Sequence, residues 1–173
     1  MKFPLALINP RRAILNALSR RAQGGDLPIQ AAALPWRCDQ AGNIEVLLIT
    51  SRSSGRWMIP KGHPMWGKTL AQSASIEAFE EAGVQGSADQ APLGHFIHRK
   101  RHWLTGSVDY RVIVHALRVE KMAPKWPEQS QRERRWVGCD EAAALVHSSD
   151  LAAILRAFGV TERSSSAMRP KRL

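Results

Sequence analysis

Glu77, Glu80 and Glu81 lie at offsets of three and four residues. On an α-helix those offsets bring side chains to one face. Three carboxylates crowded on one face repel one another, and a hard divalent cation relieves that repulsion. Magnesium takes oxygen ligands and keeps several waters, so it can bridge carboxylates to substrate phosphates. A solvated acidic face is the plain alternative. Three carboxylates alone leave that alternative ahead, although the chain carries a formal net charge of +10 and a pI near 10.6. A knot of acids in so basic a chain stands out, and the basic excess itself suits polyanionic partners.

The residues around the triad add a longer pattern. Gly62-His63-Pro64-Met65-Trp66-Gly67-Lys68 leads to Ile76-Glu77-Ala78-Phe79-Glu80-Glu81-Ala82-Gly83-Val84. This stretch resembles the Nudix box: G, five residues, E, seven residues, then R-E-U-x-E-E-x-G-U, where U is apolar. Gly62, Glu77, Glu80, Glu81, Gly83 and Val84 fall in register. Two positions depart from it: Lys68 stands for the first Glu and Ile76 for the Arg. Neither belongs to the triad. If that Glu and Arg brace loop against helix, losing both together costs less than leaving one unpaired.

The resemblance implies magnesium-dependent hydrolysis of a phosphoanhydride, with manganese as a possible substitute. It implies that Glu77 and Glu81 are metal ligands and that Glu80 is a further ligand or the water-activating base. It also implies that the Gly62 carbonyl completes the metal shell. Phosphoryl transfer needs little covalent help from side chains, so positioning and charge dominate. The implied fold is an α+β, Nudix-type α/β/α sandwich with a mixed sheet.

Beyond the box, the chain is similar to the diphosphoinositol polyphosphate phosphohydrolase branch. The similarity rests on Val46 to Arg52 leading through Gly55-Arg56-Trp57, on the basic stretch Arg99-Lys100-Arg101, and on Trp126 followed by Arg132-Glu133-Arg134-Arg135-Trp136. A substrate with many phosphates needs many cations, and guanidinium binds phosphate through paired donors. The candidates for substrate binding are Arg52, Arg56, Lys61, Arg99, Arg101, Arg132 and Arg134. Where that branch often has basic residues entering the first strand, this chain has Pro28-Ile29-Gln30. Diadenosine polyphosphates therefore stand beside inositol substrates as the expected polyphosphorylated small molecule. A nucleoside diphosphate-X or nucleotide-sanitising hydrolase of the same fold is one alternative. A non-catalytic polyanion-binding module is another. Nucleic acid is not expected as a partner, because the acidic triad would repel it.

These residues need elements to hold them. The apolar members Leu70, Ala74, Ala78 and Ala82 recur at helical spacing, so a helix runs from Thr69 to a cap at Gly83. Strands are expected at Gln30–Arg37, Ile44–Arg52, Trp57–Ile59, Leu93–Arg101, Val108–Glu120 and Arg134–Val137. Pro35 should confine the first to an edge or end it early. Helices are expected at Asp140–Val146 and Asp150–Phe158.

The chain divides into a basic N-terminal helix or arm over 1–25, a hydrolase domain over 26–160, and a basic, Ser-rich tail over 161–173 expected to be disordered. A hydrophobic fraction of 44% suffices for one core. No apolar run is long enough to span a membrane. Cys38 and Cys139 read as reduced thiols of a cytoplasmic protein. The sequence leaves the oligomeric state open.

Overall fold

The computed structural model describes residues 26–102 and 106–167. The expectations for 1–25 and for 168–173 lie outside the described residues, as do the side chains of 101, 102 and 163–167.

Among the described residues, nine strands and three helices follow in order: β1 (Ile29–Cys38), β2 (Ile44–Thr50), β3 (Trp57–Met58), β4 (Lys61–Gly62), α1 (Leu70–Ala82), β5 (Val84–Gln85), β6 (Ala88–His102), β7 (Gly106–Arg118), β8 (Lys121–Met122), β9 (Arg134–Gly138), α2 (Cys139–Leu145) and α3 (Ser149–Ala167). The main sheet runs β3-β2-β1-β7-β6, with β4 on β1 and β9 on β2. β1 and β7 are parallel and the other pairs antiparallel, so the sheet is mixed. Its two faces carry separate cores. One packs Ala31, Ala33, Leu47 and Ile49 against Ala71, Ala74, Ala78 and Ala82 of α1. The other packs Leu34, Leu48, Phe96, Tyr110 and Val114 against Leu151, Leu155 and Phe158 of α3. This is the α/β/α sandwich implied by the resemblance.

β1 corrects one expectation. It is central, not an edge, although Pro35 lies within it. The reason is a gap in pairing. Ala31 and Ala32 face β4, Trp36 to Cys38 face β2, and Pro35 falls between the two partners. Ala33 donates to the Pro60 carbonyl across the same edge at 3.1 Å. Alternation points the Pro35 nitrogen to that side, where no ladder partner stands, so the missing N–H costs nothing.

α3 corrects another. It was expected to end at Phe158, yet it continues to Ala167, into the stretch read as a disordered tail. Val160 is exposed.

Candidate active site

α1 is fixed at both ends by its own sequence. Thr69 is the N-cap and accepts from Gln72 N–H at 3.1 Å, while the Gln72 side chain accepts from Thr69 N–H at 3.0 Å. This reciprocal capping box is worth about 1 kcal/mol for the cap alone. Gly83 ends the helix at φ 66°, a conformation that favours glycine. Alanines of α1 meet alanines of β1, and small residues on both sides let the helix sit close to the sheet. That closeness carries the glutamates to β4.

Ser73 braces the loop against α1. It is fully buried; its hydroxyl accepts from Met65 N–H at 3.0 Å and donates to the Thr69 carbonyl at 3.0 Å. One serine thus ties the loop to the first turn of α1.

Glu77 lies against Gly62, where a Cβ would collide with its carboxylate. Any side chain at position 62 would displace it. Burial raises the Glu77 carboxyl to about 7, and the neighbouring Glu81, Glu80 and Glu128 push the same way. Glu81 is only 8% exposed. Its Oε2 accepts from Lys61 N–H at 2.9 Å, and its Oε1 pairs with Arg132. Burial still outweighs those partners and raises its pKa. Glu80 is half-buried. The triad was expected on one exposed face; Glu77 and Glu81 do lie close together, but Glu81 is buried and paired.

The donors are hard carboxylate oxygens, the kind a divalent magnesium or manganese ion takes. Their mutual repulsion is what such an ion would relieve. Among the described residues, however, no three His, Cys, Asp or Glu side chains converge as a finished metal site. The structure is therefore a cluster of like charges in which Glu81 is steadied by Arg132.

The cations sort by strand face. Because the Gly62 Cα faces α1, alternation turns Lys61 to the opposite face. His63 stacks edge-on against Tyr110 there, with centroids 5.5 Å apart. Tyr110 pairs with His98, and Val108 with Lys100, on the face of the α3 core. Burial lowers Lys61 to about 8, opposed by Glu81 and aided by Lys100. His98 falls to about 4 through burial, then Lys61 and Lys100. His63 falls for the same reasons, burial first. Lys61 and Lys100 are therefore the cations of this face, with His98 held neutral beside them near pH 7.

Other expected substrate ligands are engaged elsewhere. Arg99 faces the other side of β6 and forms a two-pronged pair with Asp109 at 2.7 and 2.9 Å. Arg134 donates to the Ala82 carbonyl at 2.8 Å and lies 3.8 Å over the Trp126 ring, closing the end of α1. Arg52 reaches Glu128 at 3.2 Å from an exposed turn. Arg56 is exposed in the turn before β3. The Arg101 side chain lies outside the described residues.

Sequence reading missed Lys100 and Glu128. Lys100 was legible: Phe96 is apolar, and a period of two puts 96, 98 and 100 on one face. Glu128 was not, because the path of its loop is set by contacts distant in sequence.

The residues 28–158 match the NUDIX domain. Among curated relatives, Nudix hydrolase 21, chloroplastic, of Arabidopsis thaliana is 34% identical over 129 residues, 72% of this chain and 63% of that protein. Nudix hydrolase 12, mitochondrial, of the same plant is 35% identical over 113 residues, covering 62% of this chain and 54% of that protein. Diphosphoinositol polyphosphate phosphohydrolase 2 of Rattus norvegicus is 30% identical over 120 residues, 68% of this chain and 62% of that protein. The chain thus spans little more than half to under two thirds of these relatives. A C. elegans Ap4A hydrolase binary complex shares the fold, with a TM-score of 0.59 at 20% identity over 80% of this chain and 99% of that one. With the box in register on a capped helix and the domain match over most of its length, the chain belongs to the Nudix family, whose named relatives here are hydrolases.

Proposed function

We propose that this protein hydrolyses a phosphoanhydride in a highly charged small molecule, with a magnesium or manganese ion held by Glu77, Glu80, Glu81 and the Gly62 carbonyl. The observation that carries the reading is the meeting of opposite charges across β4. Carboxylates lie on the α1 side, and the cations Lys61 and Lys100 lie on the other. Among the described residues neither Lys61 nor Lys100 has an ion-pair partner. Those cations are available to substrate phosphates.

A bound divalent ion neutralises phosphate oxygens and makes its water a stronger nucleophile near neutral pH. The chain's own residues do the rest. Glu77 and Glu81 present oxygens, and Glu80 is a further ligand or takes the proton of the attacking water. Lys61 and Lys100 hold phosphates away from the cleaved bond. Two substrate classes fit: diphosphoinositol polyphosphates, as in the name of the rat relative, and diadenosine polyphosphates, as in the name of the nematode hydrolase. Several plant relatives carry mitochondrial or chloroplastic names; a cytoplasmic location rests on the sequence alone.

The test is phosphate release from a panel of both classes and of short nucleotides, with magnesium and with EDTA. The reading expects metal-dependent turnover, fastest on a long polyphosphate. Preference for short nucleoside triphosphates would favour the sanitising hydrolase, and no turnover on any of them would favour a binding module.

A further inference from the structure

We propose that Arg132 is a positioning residue of this site, acting through Glu81 and Glu128 and not on the substrate; this rests on the hydrolase reading above. Its side chain is only 6% exposed. The guanidinium is committed on three sides. Nε donates to Glu128 Oε2 at 2.6 Å, Nη1 to the Thr50 carbonyl at 2.9 Å, and Nη2 to Glu81. A planar fork held this way has fixed orientation. Two carboxylates already balance its charge and the side chain is buried, which leaves it little to offer a phosphate.

The segment that delivers Arg132 is itself anchored to α1 and β2. Glu128 N–H donates to the Glu80 carbonyl at 3.1 Å. Trp126 packs where a Cβ on Gly83 would collide. Thr50 and Glu133 exchange backbone contacts: Thr50 N–H donates to the Glu133 carbonyl at 3.0 Å, and Glu133 N–H donates to Thr50 Oγ1 at 2.9 Å. This scaffold fixes Arg132 before any ligand arrives.

The arrangement also answers a gap in the box. The pattern has an arginine where Ile76 stands, so α1 brings no guanidinium of its own to the carboxylate cluster. Arg132 brings one from a loop 51 residues beyond Glu81. It orients one oxygen of Glu81 while Lys61 N–H orients the other. Each carboxylate oxygen retains a second lone pair for a cation. Partners of this kind typically govern metal affinity by about 10- to 100-fold when removed.

The experiment titrates Mn2+ into substrate-free protein by calorimetry and measures kcat and KM at saturating Mn2+. For R132A we expect Mn2+ affinity to fall about 10- to 100-fold, kcat to fall, and KM to stay near the wild-type value. R132K keeps the charge but not the fork and should recover part of the affinity. E128Q removes one of the arginine's partners and should show a smaller loss of the same kind; these two variants decide the matter if R132A does not fold. Unchanged Mn2+ affinity with a raised KM would overturn the proposal and make Arg132 a substrate ligand. Tighter Mn2+ binding would overturn it too, by making Arg132 a competitor of the metal. A wild-type protein that neither binds Mn2+ nor turns over substrate would sink the hydrolase reading itself. A normal wild type beside an unaffected R132A would sink only the role of Arg132.

Discussion

The two sides of β4 treat charge in opposite ways. On the α1 side, acids are buried and answered from within: Glu81 has Arg132, and Glu128 has both Arg132 and Arg52. On the other side, Lys61 and Lys100 repel one another beside a neutral His98, and neither lysine has an ion-pair partner among the described residues. The difference shows which side is built and which is waiting. A protein stabilises groups it must keep in one place, and it leaves unpaired those a ligand will pair. The acidic side thus reads as the fixed machinery and the basic side as the seat for a polyanion.

Breaking the acidic side should have the largest effect. Glu81→Gln keeps shape, removes a charge and weakens the Arg132 pair. Activity at saturating magnesium should fall about 100-fold or more, as on losing a key electrostatic group. Near-normal turnover would remove Glu81 from the metal site. Gly62→Ala should come next. Its methyl would lie on the Glu77 carboxylate, and overpacking of this kind costs about 1–3 kcal/mol. A lower melting temperature and a weakened response to magnesium are expected together; loss of neither would mean that Glu77 can move aside freely.

The basic side can be sharpened by a pair of neighbours. Lys100→Ala should raise KM for a long polyphosphate and reduce its sensitivity to salt, because exposed charges are screened within about 10 Å at roughly 0.1 M. Arg99→Ala removes a charge from the adjacent position but from the opposite face, where Asp109 holds it. Its effect should be small, since exposed pairs contribute little. Equal kinetic effects from the two would show that net charge matters and strand face does not.

That pair of neighbours also marks how far sequence reading reaches. Features set by local chemistry were legible: the helix start at Thr69, the stop at Gly83 and the register of the three glutamates. The central place of β1 was not, because Pro35 reads as an edge signal until the gap between β2 and β4 is known. Arg132 and Arg134 read as phosphate ligands because their types suit phosphate. Their actual partners, Glu81 and the Ala82 carbonyl, lie 51 and 52 residues away, beyond anything spacing can report. The length of α3 was missed for a different reason, since the sequence from Thr161 to Ala167 has no apolar period to follow.

The smallest expected effect comes from proton linkage, and it separates the two sides without any substrate. Glu77 titrates near 7 in the folded protein against an ordinary 4.5. Between those values the folded state binds more protons than the unfolded chain, so this group makes metal-free stability fall as pH rises from 4.5 to 7. His98 titrates near 4 against an ordinary 6.5. Between those values the unfolded chain binds more protons, so this group makes stability rise with pH from 4 to 6.5. Where the windows overlap the slopes oppose, and wild-type stability should vary little on their account. Each single variant exposes the other slope. Glu77→Gln should make the protein lose stability as pH falls from 6.5 towards 4, and His98→Asn should make it lose stability as pH rises from 4.5 to 7. A full proton is worth about 1.4 kcal/mol per pH unit, and solvent screening of these half-buried groups should leave a fraction of that. Melting temperatures from pH 4 to 8 in EDTA provide the measurement. If both variants merely run parallel to the wild type, neither group is perturbed as its surroundings demand, and the contrast between the two sides of β4 is one of position without electrostatic consequence.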